Sequence, residues 1–418
     1  MGDLMWGDWE HRERIGRQSF TLVFDAVPDD QIAPIREGKI SAGQMGEYFN
    51  ELRPVAIDVK VDPGQSGYEV AKSLEPSLWY PLPQSDGNVP SRVWGLGGDE
   101  REPTNSSVRF DSDTLASDSE LNSAMTLTKV ATAANRQSFL RESDGPVRVA
   151  ATAVSLAIFD VGQGSCAALC DDKGEVVAYL DYGGGWGPNA RTFPAPLCWH
   201  PGSQPPVLLS HWDLDHLVGF ERRPEVLNSE WLAPAWAGAL GPRHLKLAAA
   251  LGSKLTLVSS TAPSLASGLP LSVEAGLGDN KNDSGLIAQV RLQRSGNDFD
   301  VLIPGDCSYQ FLPLAMQHQS LDLLVESHHG GNCHLKSSLP PGVPSPKGTG
   351  TMAIASRGTP NSYNHPNKTA LAKIRAAGWG GGLPTTTATF GTGGFRMAGT
   401  TSPTSCGPSC RQQCPMTF

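Results

Sequence analysis

Four side chains that can bind metal ions lie within six consecutive residues: His211, Asp213, Asp215 and His216. The chain has 418 residues and only 10 histidines, so this local density of imidazole and carboxylate groups is unusual. Imidazole together with carboxylate suits Zn²⁺, Mn²⁺ or Fe, whereas Ca²⁺ and Mg²⁺ prefer oxygen ligands alone. The alternative is a polar loop with two unrelated histidines, but the regular H-x-D-x-D-H spacing favours a metal site.

The elements that must position this cluster are predicted strands and a few helices. Pro366 and Gly378 suit the start and the end of a helix over 366–377, and a second helix is predicted over 243–251. Apolar, β-branched segments predict seven strands, namely 156–161, 176–182, 207–210, 286–292, 299–303, 321–325 and 352–355. Strands that alternate with helices and end in polar loops predict an α/β sandwich or layered sheet.

Further motifs with glycines or metal-competent residues follow several of these strands. Asp160 lies in F-D-V-G-Q-G, Asp181 in L-D-Y-G-G and Asp306 in I-P-G-D, while His328 and His329 form S-H-H-G-G. Asp160 and Asp181 stand where a side chain can cap backbone N–H groups of a tight turn. In isolation, Asp306 is an ordinary turn residue and the histidine pair belongs to a polar loop.

The order of these five motifs resembles the metallo-β-lactamase fold superfamily. More narrowly, it resembles the hydrolase domain of the ComEC/Rec2 competence proteins, with D-V-G-Q-G, D-x-G-G, H-x-D-x-D-H, G-D and H-H-G in the same order. Residues 361–366, N-S-Y-N-H-P, are similar to a late N-x-Y-x-H-P segment of that subgroup. The resemblance covers roughly 152–398. It implies an αββα metallo-β-lactamase-like sandwich with metal ions at one edge, between two sheets.

The resemblance implies two divalent metal ions, zinc or manganese. His211 and Asp213 would hold the first ion, and Asp215 and His216 the second, which also makes Asp215 a catalytic residue. Two ions about 3.5–4 Å apart can share a hydroxide, lower its pKa toward about 7 and hold the attacking and leaving oxygens.

Residues downstream would complete this centre. Asp306 is predicted to bridge both ions, since a carboxylate offers two oxygens. One of His328 and His329 is predicted to bind the second ion, and the other to hydrogen-bond the substrate or the ligands. The sequence does not distinguish the two histidines.

Other residues are predicted to support the centre or to bind substrate. Asp160 and Asp181 would hold the ligand loops, as partners of metal ligands do in such sites. His365 is a candidate proton donor to the leaving group, or else a surface histidine at a helix start. Asn361 and Tyr363 are candidates for contacting phosphate or another oxyanion.

The chain departs from the superfamily at the first ion. Many members place another histidine between the H-x-D-x-D-H loop and the bridging Asp, but here that interval contains only His244, at the start of a predicted helix. By order, the missing ligand falls near 282–284, an Asn-Asp-Ser segment that ComEC-like proteins resemble. An oxygen-rich first site favours Mn²⁺ relative to a three-histidine zinc site. Ser165 also stands where the subgroup often has Asp.

The remaining sequence predicts three regions. Residues 1–150 form an accessory region of unknown function, with strands over 20–24 and 55–61 and a Pro-, Gly- and Ser-rich linker near 81–123. Residues 151–400 form the hydrolase domain. Residues 401–418 form a tail with Cys406, Cys410 and Cys414, whose spacing lacks a C-x-x-C pair and favours free thiols over a zinc site.

Composition narrows the function classes. A net charge of −9 disfavours broad electrostatic attraction to nucleic acid. The sequence contains neither an N-terminal signal pattern nor 18 consecutive apolar residues, which predicts a cytoplasmic protein without a membrane span or membrane partner. The eight cysteines of such a protein are expected to be free thiols.

The predicted function is a metal-dependent hydrolase, namely a phosphodiesterase or nuclease that uses metal-bound hydroxide. Its substrate would be a phosphodiester or another small anion, and nucleic acid is among the candidates. A hydrolase of lactones, thioesters or β-lactams needs the same centre together with an oxyanion stabiliser. A third reading is a regulatory or binding module, with a partner protein at residues 1–150.

Overall fold

The computed structural model divides the chain into two compact units. The first comprises Met1–Leu140 and Trp236–Ser253, and the second comprises Arg141–Ala235 and Lys254–Phe418. The residues that the structure describes are 4–15, 19–41, 43–65, 67–75, 78–83, 89–94, 103–109, 117, 119–126, 155–159, 161–171, 175–193, 204–258, 269–294, 297–317, 319–331, 344–348, 351–358, 363, 365–379 and 395–399.

The strands are numbered in chain order. They are β1 Leu4–Ile15, β2 Ser19–Pro28, β3 Val55–Val61, β4 Trp79–Pro83, β5 Val89–Trp94, β6 Thr104–Val108, β7 Ser155–Phe159, β8 Ala167–Cys170, β9 Val176–Leu180, β10 Val207–Leu208, β11 Trp231–Pro234, β12 Leu255–Val258, β13 Leu271–Ala275, β14 Leu286–Arg294, β15 Asn297–Ile303, β16 Ser320–Leu321, β17 Leu323–Val325, β18 Ser345–Pro346, β19 Met352–Ile354 and β20 Phe395–Gly399. The α-helices span Ala33–Arg36, Met45–Glu51, Tyr68–Ser73, Ser119–Ala124, Leu214–Leu217, Gly219–Arg222, Pro242–Leu251 and Lys368–Ala376.

The first unit is built on an antiparallel sheet of six strands in the order β4-β1-β2-β3-β5-β6. The strands predicted over 20–24 and 55–61 are confirmed as parts of β2 and β3. Strand β2 is central and buried from Phe20 to Val27. Its β-branched and aromatic side chains therefore suit a strand with both faces packed.

The predicted linker near 81–123 is wrong for part of its length. This range contains β5 and β6, which complete the first sheet, and the helix Ser119–Ala124. Composition missed β5 because its polar residues alternate with buried Val89 and Val93, the period-two pattern of a strand. Polar composition over the whole range therefore concealed strands whose inward faces are apolar.

A segment from the middle of the chain completes the first unit. Residues 236–253 fall in the predicted hydrolase domain 151–400, but they group with the first unit, and the helix predicted there is confirmed as Pro242–Leu251. The backbone N–H of Arg243 donates to Asp25 Oδ2 at 2.7 Å, and its guanidinium pairs with Oδ1 of the same carboxylate. These long-range contacts are invisible to a reading of local pattern. The boundary near 150 lies outside the described residues and stays a prediction.

The second unit contains two larger sheets. One has seven strands in the order β12-β11-β10-β9-β8-β7-β20, and the other has five in the order β13-β14-β15-β17-β19. A single apolar core includes side chains from both sheets, such as Leu169 and Leu180 from the first and Val290 and Val301 from the second. The predicted α/β sandwich is confirmed, and each of its seven predicted strand segments overlaps a strand of the structure.

A helix packs beside the five-stranded sheet. Ile374 of the helix Lys368–Ala376 joins an apolar cluster with Ile287 of β14 and Leu324 of β17. The helix begins two residues later than predicted, after Asn367, whose side chain accepts hydrogen bonds from the backbone N–H groups of the first turn. The predicted helical segment 366–377 is thus confirmed with a different first residue.

Parallel strands carry the candidate site. Strands β9, β10, β11 and β12 run parallel in the seven-stranded sheet, and β15, β17 and β19 run parallel in the five-stranded sheet. The carboxyl ends of parallel neighbours meet at the same edge of a sheet, where α/β proteins place their ligands. The motifs that follow β9, β10, β15 and β17 are therefore brought to common edges.

Two further expectations concern membranes and cysteines. Among the helices that the structure describes, none is long and apolar enough to cross a membrane. Cys166, Cys170 and Cys307 are buried free thiols, as expected. Cys406, Cys410 and Cys414 lie outside the described residues.

Candidate metal centre

Four buried side chains converge in the second unit: Asp215, His216, Asp306 and His329. Nε2 of His216 lies 3.1 Å from Nε2 of His329 and 3.1 Å from Oδ1 of Asp306. Nε2 of His329 lies 3.1 Å from Oδ2 of Asp215 and 3.7 Å from Oδ1 of Asp306. Nε2 of His216 and Oδ1 of Asp215 are 3.9 Å apart. We call these residues the four-ligand group.

The separations in the four-ligand group are of the size expected between ligands of one metal ion. Zn²⁺ binds imidazole nitrogen and carboxylate oxygen at about 2.0–2.1 Å, and a tetrahedron's edge is about 1.6 times that length, or about 3.3–3.4 Å. The measured distances of 3.1 to 3.9 Å are of this order, although His216 and His329 approach different oxygens of Asp215. Asp215, His216 and His329 form a potential metal-binding trio. The group therefore fits one divalent ion.

Hydrogen bonds fix the orientation of the two imidazoles. Nδ1 of His216 lies 2.8 Å from Oδ2 of Asp181, and Nδ1 of His329 lies 2.8 Å from the carbonyl oxygen of Ser356. Both partners can only accept when Asp181 is ionised, so each Nδ1 carries the proton and donates it. In the neutral imidazole, each Nε2 then presents its lone pair to the group, as metal-binding histidines do.

His211 is prepared in the same way on the adjoining side. Its Nδ1 lies 3.0 Å from Ser210 Oγ, and that hydroxyl donates to Asp181 Oδ2 at 2.9 Å, so it can accept from His211. His211 is fully buried, and its Nε2 has no hydrogen-bond partner among the described residues. That nitrogen lies 3.3 Å from Oδ2 of Asp213 and 3.7 Å from Oδ2 of Asp306. Asp181 therefore orients two imidazoles.

Asp306 lies where a bridging ligand was predicted. Its Oδ1 belongs to the four-ligand group, while its Oδ2 lies 3.7 Å from His211 Nε2 and 3.1 Å from His328 Nδ1. Burial raises the pKa of the Asp306 carboxyl, but the imidazoles of His328 and His216 lower it more, to well below its usual range. The carboxyl is thus held ionised, the form that binds metal.

Charge is balanced by protons when the group holds no ion. Burial lowers the pKa of His216, but Asp306 and Asp181 raise it more, to well above the usual value. The pKa of His329 is likewise raised because Asp306 and Asp215 outweigh burial. The pKa of Asp215 is lowered because His329 outweighs burial. A metal ion would have to displace these protons.

The structure separates His328 from His329, which the sequence could not do. His329 points Nε2 into the four-ligand group, whereas His328 presents Nδ1 to Asp306 and its side chain is 26% exposed. Both residues have positive φ values of 53° and 54°, an uncommon backbone conformation that costs free energy. The geometry thus favours His329 as the metal ligand, with His328 as a neighbour of Asp306.

His365 and Tyr363 lie beside the histidine pair. The ring of His365 is 5.5 Å from that of His328 and 6.2 Å from that of His329, and the Tyr363 ring is 5.8 Å from His365. Nδ1 of His365 lies 3.4 Å from Nε2 of Gln163. His365 and Tyr363, two of the predicted substrate-side residues, are therefore close to the candidate ligands.

Asp213 lies at the edge of the centre and has a cationic neighbour. Its Oδ2 lies 3.3 Å from His211 Nε2, and its Oδ1 lies 2.9 Å from Lys281 Nζ. Burial raises the pKa of Asp213, but Lys281 and His211 lower it more, to well below its usual range. Lys281 is a residue of the site that the sequence interpretation did not identify. The feature of the sequence that could have identified Lys281 is its position directly before 282–284, the segment in which a metal ligand was expected.

The segment 282–284 does not supply that ligand in the contacts that the structure describes. Oδ1 of Asp283 accepts from the backbone N–H of Ser308 at 2.8 Å, and Oδ2 accepts from Asn280 Nδ2 at 2.6 Å. Ser284 Oγ donates to the carbonyl oxygen of Asn280. These side chains stabilise the loop, and Lys281 is the residue that reaches toward the centre.

The glycines of the first two motifs permit close backbone packing behind the ligands. The backbone N–H groups of Ser165 and Gly184 both donate to the carbonyl oxygen of Asp215 at 3.0 Å. A Cβ atom on Gly183 would lie 1.8 Å from the same oxygen, so only glycine fits. The Gly-rich loops thus hold the backbone that presents Asp215 and His216.

Several predicted residues remain without a structural test. Asp160 and Asn361 lie outside the described residues. His244, the only histidine between 217 and 305, belongs to the first unit. The metal-binding roles of the other residues stay predictions that the geometry above makes specific.

Comparisons with known proteins contribute little beyond this geometry. No protein-family model matches the chain, and no curated protein matches it. Among solved structures it is similar to MEM-A1, a subclass B3 metallo-β-lactamase isolated from a soil metagenome library, with 12% identity and a TM-score of 0.29. It is also similar to the metallo-β-lactamase SMB-1 in complex with mercaptoacetic acid (14% identity, TM-score 0.26) and bound to 2-mercaptoethanesulfonate (14%, 0.27).

Each match covers 45% of this chain and 82% of the matched chain. TM-scores this low carry no argument about activity. The interpretation of the centre therefore rests on its own residues.

Proposed function

We propose that the second unit is a metallo-β-lactamase-like, metal-dependent hydrolase and that its substrates are phosphodiesters. The observation that carries the proposal is the four-ligand group: two imidazoles and two carboxylates, all buried, of which Asp215, His216 and His329 form a potential metal-binding trio. The two Nε2 atoms lie 3.1 Å apart, and each also lies 3.1 Å from a carboxylate oxygen. A divalent cation that displaces the protons of these contacts would be shared by the same nitrogens and oxygens.

An ion held by this group would act as a Lewis acid and would lower the pKa of a bound water toward about 7. The protein's own residues prepare that chemistry. Asp181 and the Ser356 carbonyl keep the Nδ1 protons of His216 and His329 outside the group. Asp215 and Asp306 supply the negative charge that retains a cation.

The substrate side of the centre suits an anionic group. His365 and His328 stand next to each other, and an imidazole at this position can donate a proton to a departing oxygen. Tyr363 contacts the His365 ring and supports its position. We assign the leaving-group proton to His365, because His328 is engaged with Asp306. The net charge of −9 favours a small phosphodiester over long nucleic acid.

The test is hydrolysis by the full-length protein reconstituted with Zn²⁺ or Mn²⁺. Substrates would include a phosphodiester reporter, cyclic nucleotides, single-stranded oligonucleotides and a lactone. We expect turnover of at least one phosphodiester and loss of turnover and of metal content in Asp215→Ala. Asp298→Asn, an exposed carboxylate in the same unit, is the matched control. Turnover of the lactone alone would leave the metal centre intact but exclude the phosphodiesterase assignment.

If the protein hydrolyses none of these substrates, the alternative function is that of a regulatory or binding module. In that case the purified protein would contain less than one metal ion per chain, and Asp215→Ala would change neither metal content nor turnover. If metal binds at the expected residues but no substrate is hydrolysed, the metal site would be supported and the hydrolase activity would be contradicted.

A further inference from the structure

Lys281 occupies the side of the centre where the first metal ion was expected. Its ammonium group lies 2.9 Å from Oδ1 of Asp213, and the two side chains are only 12% and 18% exposed. The pair is therefore largely shielded from solvent, where an ion pair is screened less than on the surface. The lysine comes from the loop in which related proteins were expected to contribute a metal ligand.

The donor set on this side shares most of its ligands with the four-ligand group. His211 forms a potential metal-binding trio with His216 and Asp306, and both of these residues also belong to the four-ligand group. Oδ2 of Asp213 and Oδ2 of Asp306 lie 3.3 Å and 3.7 Å from His211 Nε2. Asp306 already serves the four-ligand group, and the charge of Asp213 is neutralised by Lys281. A dication at this position would add positive charge close to an ammonium group, which like-charge repulsion opposes.

The four-ligand group differs from the His211 side of the centre in its number of ligands and in its charged neighbours. The four-ligand group contains two carboxylates and two oriented imidazoles, and no lysine or arginine contacts it in the ion pairs of the described residues. A cation bound there is surrounded by four ligands, whereas one beside His211 would share its carboxylate with a fixed cation. The two positions therefore differ in affinity.

We propose that Lys281 takes the place of the first metal ion, so that the centre retains one ion tightly, on the four-ligand group. The ammonium group neutralises Asp213 and opposes binding of a second ion beside His211. This inference rests on the proposed metal-dependent function. It replaces the expected two-ion centre by one ion and one built-in organic cation.

Metal stoichiometry tests the proposal without relying on activity. Full-length protein would be freed of metal with a chelator, dialysed against Zn²⁺ or Mn²⁺ in separate experiments, and assayed for ions per chain by mass spectrometry. Isothermal titration would give the affinities. We expect one ion per chain in the wild type and in Lys281→Arg. In Lys281→Met, which removes the charge, we expect a second ion whose Kd is at least tenfold lower than in the wild type.

Lys254→Met is the control, since Lys254 is a partly buried lysine of the same unit that donates to the carbonyl oxygen of Leu227. Circular dichroism would establish that each variant is folded, and Lys281→Gln, which also removes the charge, retains the test if Lys281→Met does not fold. Two tightly bound ions in the wild type, or identical second-ion affinities in wild type and Lys281→Met, would overturn this inference but leave the proposed function standing. No bound ion in any variant would overturn both.

Discussion

The two units bury charged side chains in opposite ways. In the first unit, Asp25 is fully buried and both of its carboxylate oxygens are engaged by Arg243, which is itself buried. In the second unit, the carboxylate of Glu326 is buried, and neither of its oxygens has a hydrogen-bond partner among the residues that the structure describes. His211 Nε2, close to Asp306, is likewise without a hydrogen bond there.

This difference distinguishes the ion pair of the first unit from the candidate metal centre of the second. A buried charge is tolerated when its partner is supplied by the fold, and the Asp25–Arg243 pair meets that condition within the first unit. Around the four-ligand group, the partners of the buried carboxylates are imidazoles, whose pKa values are raised by those carboxylates. An imidazole can exchange its proton for a metal ion, whereas the guanidinium of Arg243 stays charged.

The largest effect on stability should follow from breaking the buried ion pair between Asp25 and Arg243. Asp25→Asn leaves the guanidinium of Arg243 buried without its counter-charge, and the loss of one partner of a buried pair costs about 3–5 kcal/mol. We expect that decrease in the free energy of unfolding, measured by urea denaturation, with the metal content of the folded protein unchanged.

The matched control is Asp29→Asn in the same unit. Asp29 pairs with Arg36 at 3.0 Å, but its side chain is 35% exposed, and surface pairs contribute about 0–1 kcal/mol. Equal stability of the two variants would mean that the Asp25 pair is no more important than a surface contact. The contrast between the units would then be lost.

The sequence predicted the second unit better than the first for a physical reason. The candidate ligands follow strands, and strand periodicity together with motif order is local information that survives in the sequence. The choice of His329 over His328 depends on backbone angles, and the contact of Lys281 with Asp213 joins residues 68 positions apart. The insertion of 236–253 into the first unit depends on long-range contacts such as that of Arg243 with Asp25. Neither kind of contact leaves a local pattern.

The next effect has the opposite sign from that of Asp25→Asn. Burial raises the pKa of Glu326 to about 7, and nearby Arg357 and Arg375 lower it only in part. The unfolded chain therefore loses this proton at lower pH than the folded protein. Stability falls as pH rises from the unfolded value toward about 7, because the folded state binds more protons in that window. Glu326→Gln removes this dependence.

We expect Glu326→Gln to gain stability relative to the wild type by roughly 2 kcal/mol between pH 5 and pH 8. The measurement is urea denaturation at both pH values in the presence of chelator, since a bound ion would alter the charge near Glu326. Glu230→Gln, at an exposed position, is the control. If the stability of the wild type and that of Glu326→Gln depend on pH in the same way, Glu326 must have a charged partner in solution. The contrast between Glu326 and Asp25 would then disappear.

The last effect concerns Asp181, which contacts the candidate ligands without belonging to the four-ligand group. Asp181 accepts hydrogen bonds from Ser210 and His216, so it orients the imidazole of His216 and, through the Ser210 hydroxyl, that of His211. Its φ of 59° is tolerated by Asn, so Asp181→Asn should preserve the backbone while removing the charge. Loss of such a partner typically lowers metal affinity about 10–100-fold. Chelator competition would measure this loss, with Asp298→Asn as the exposed control. If Asp181→Asn binds metal as tightly as the control variant, the imidazoles are oriented without Asp181. The strands alone would then determine the geometry of the candidate metal centre.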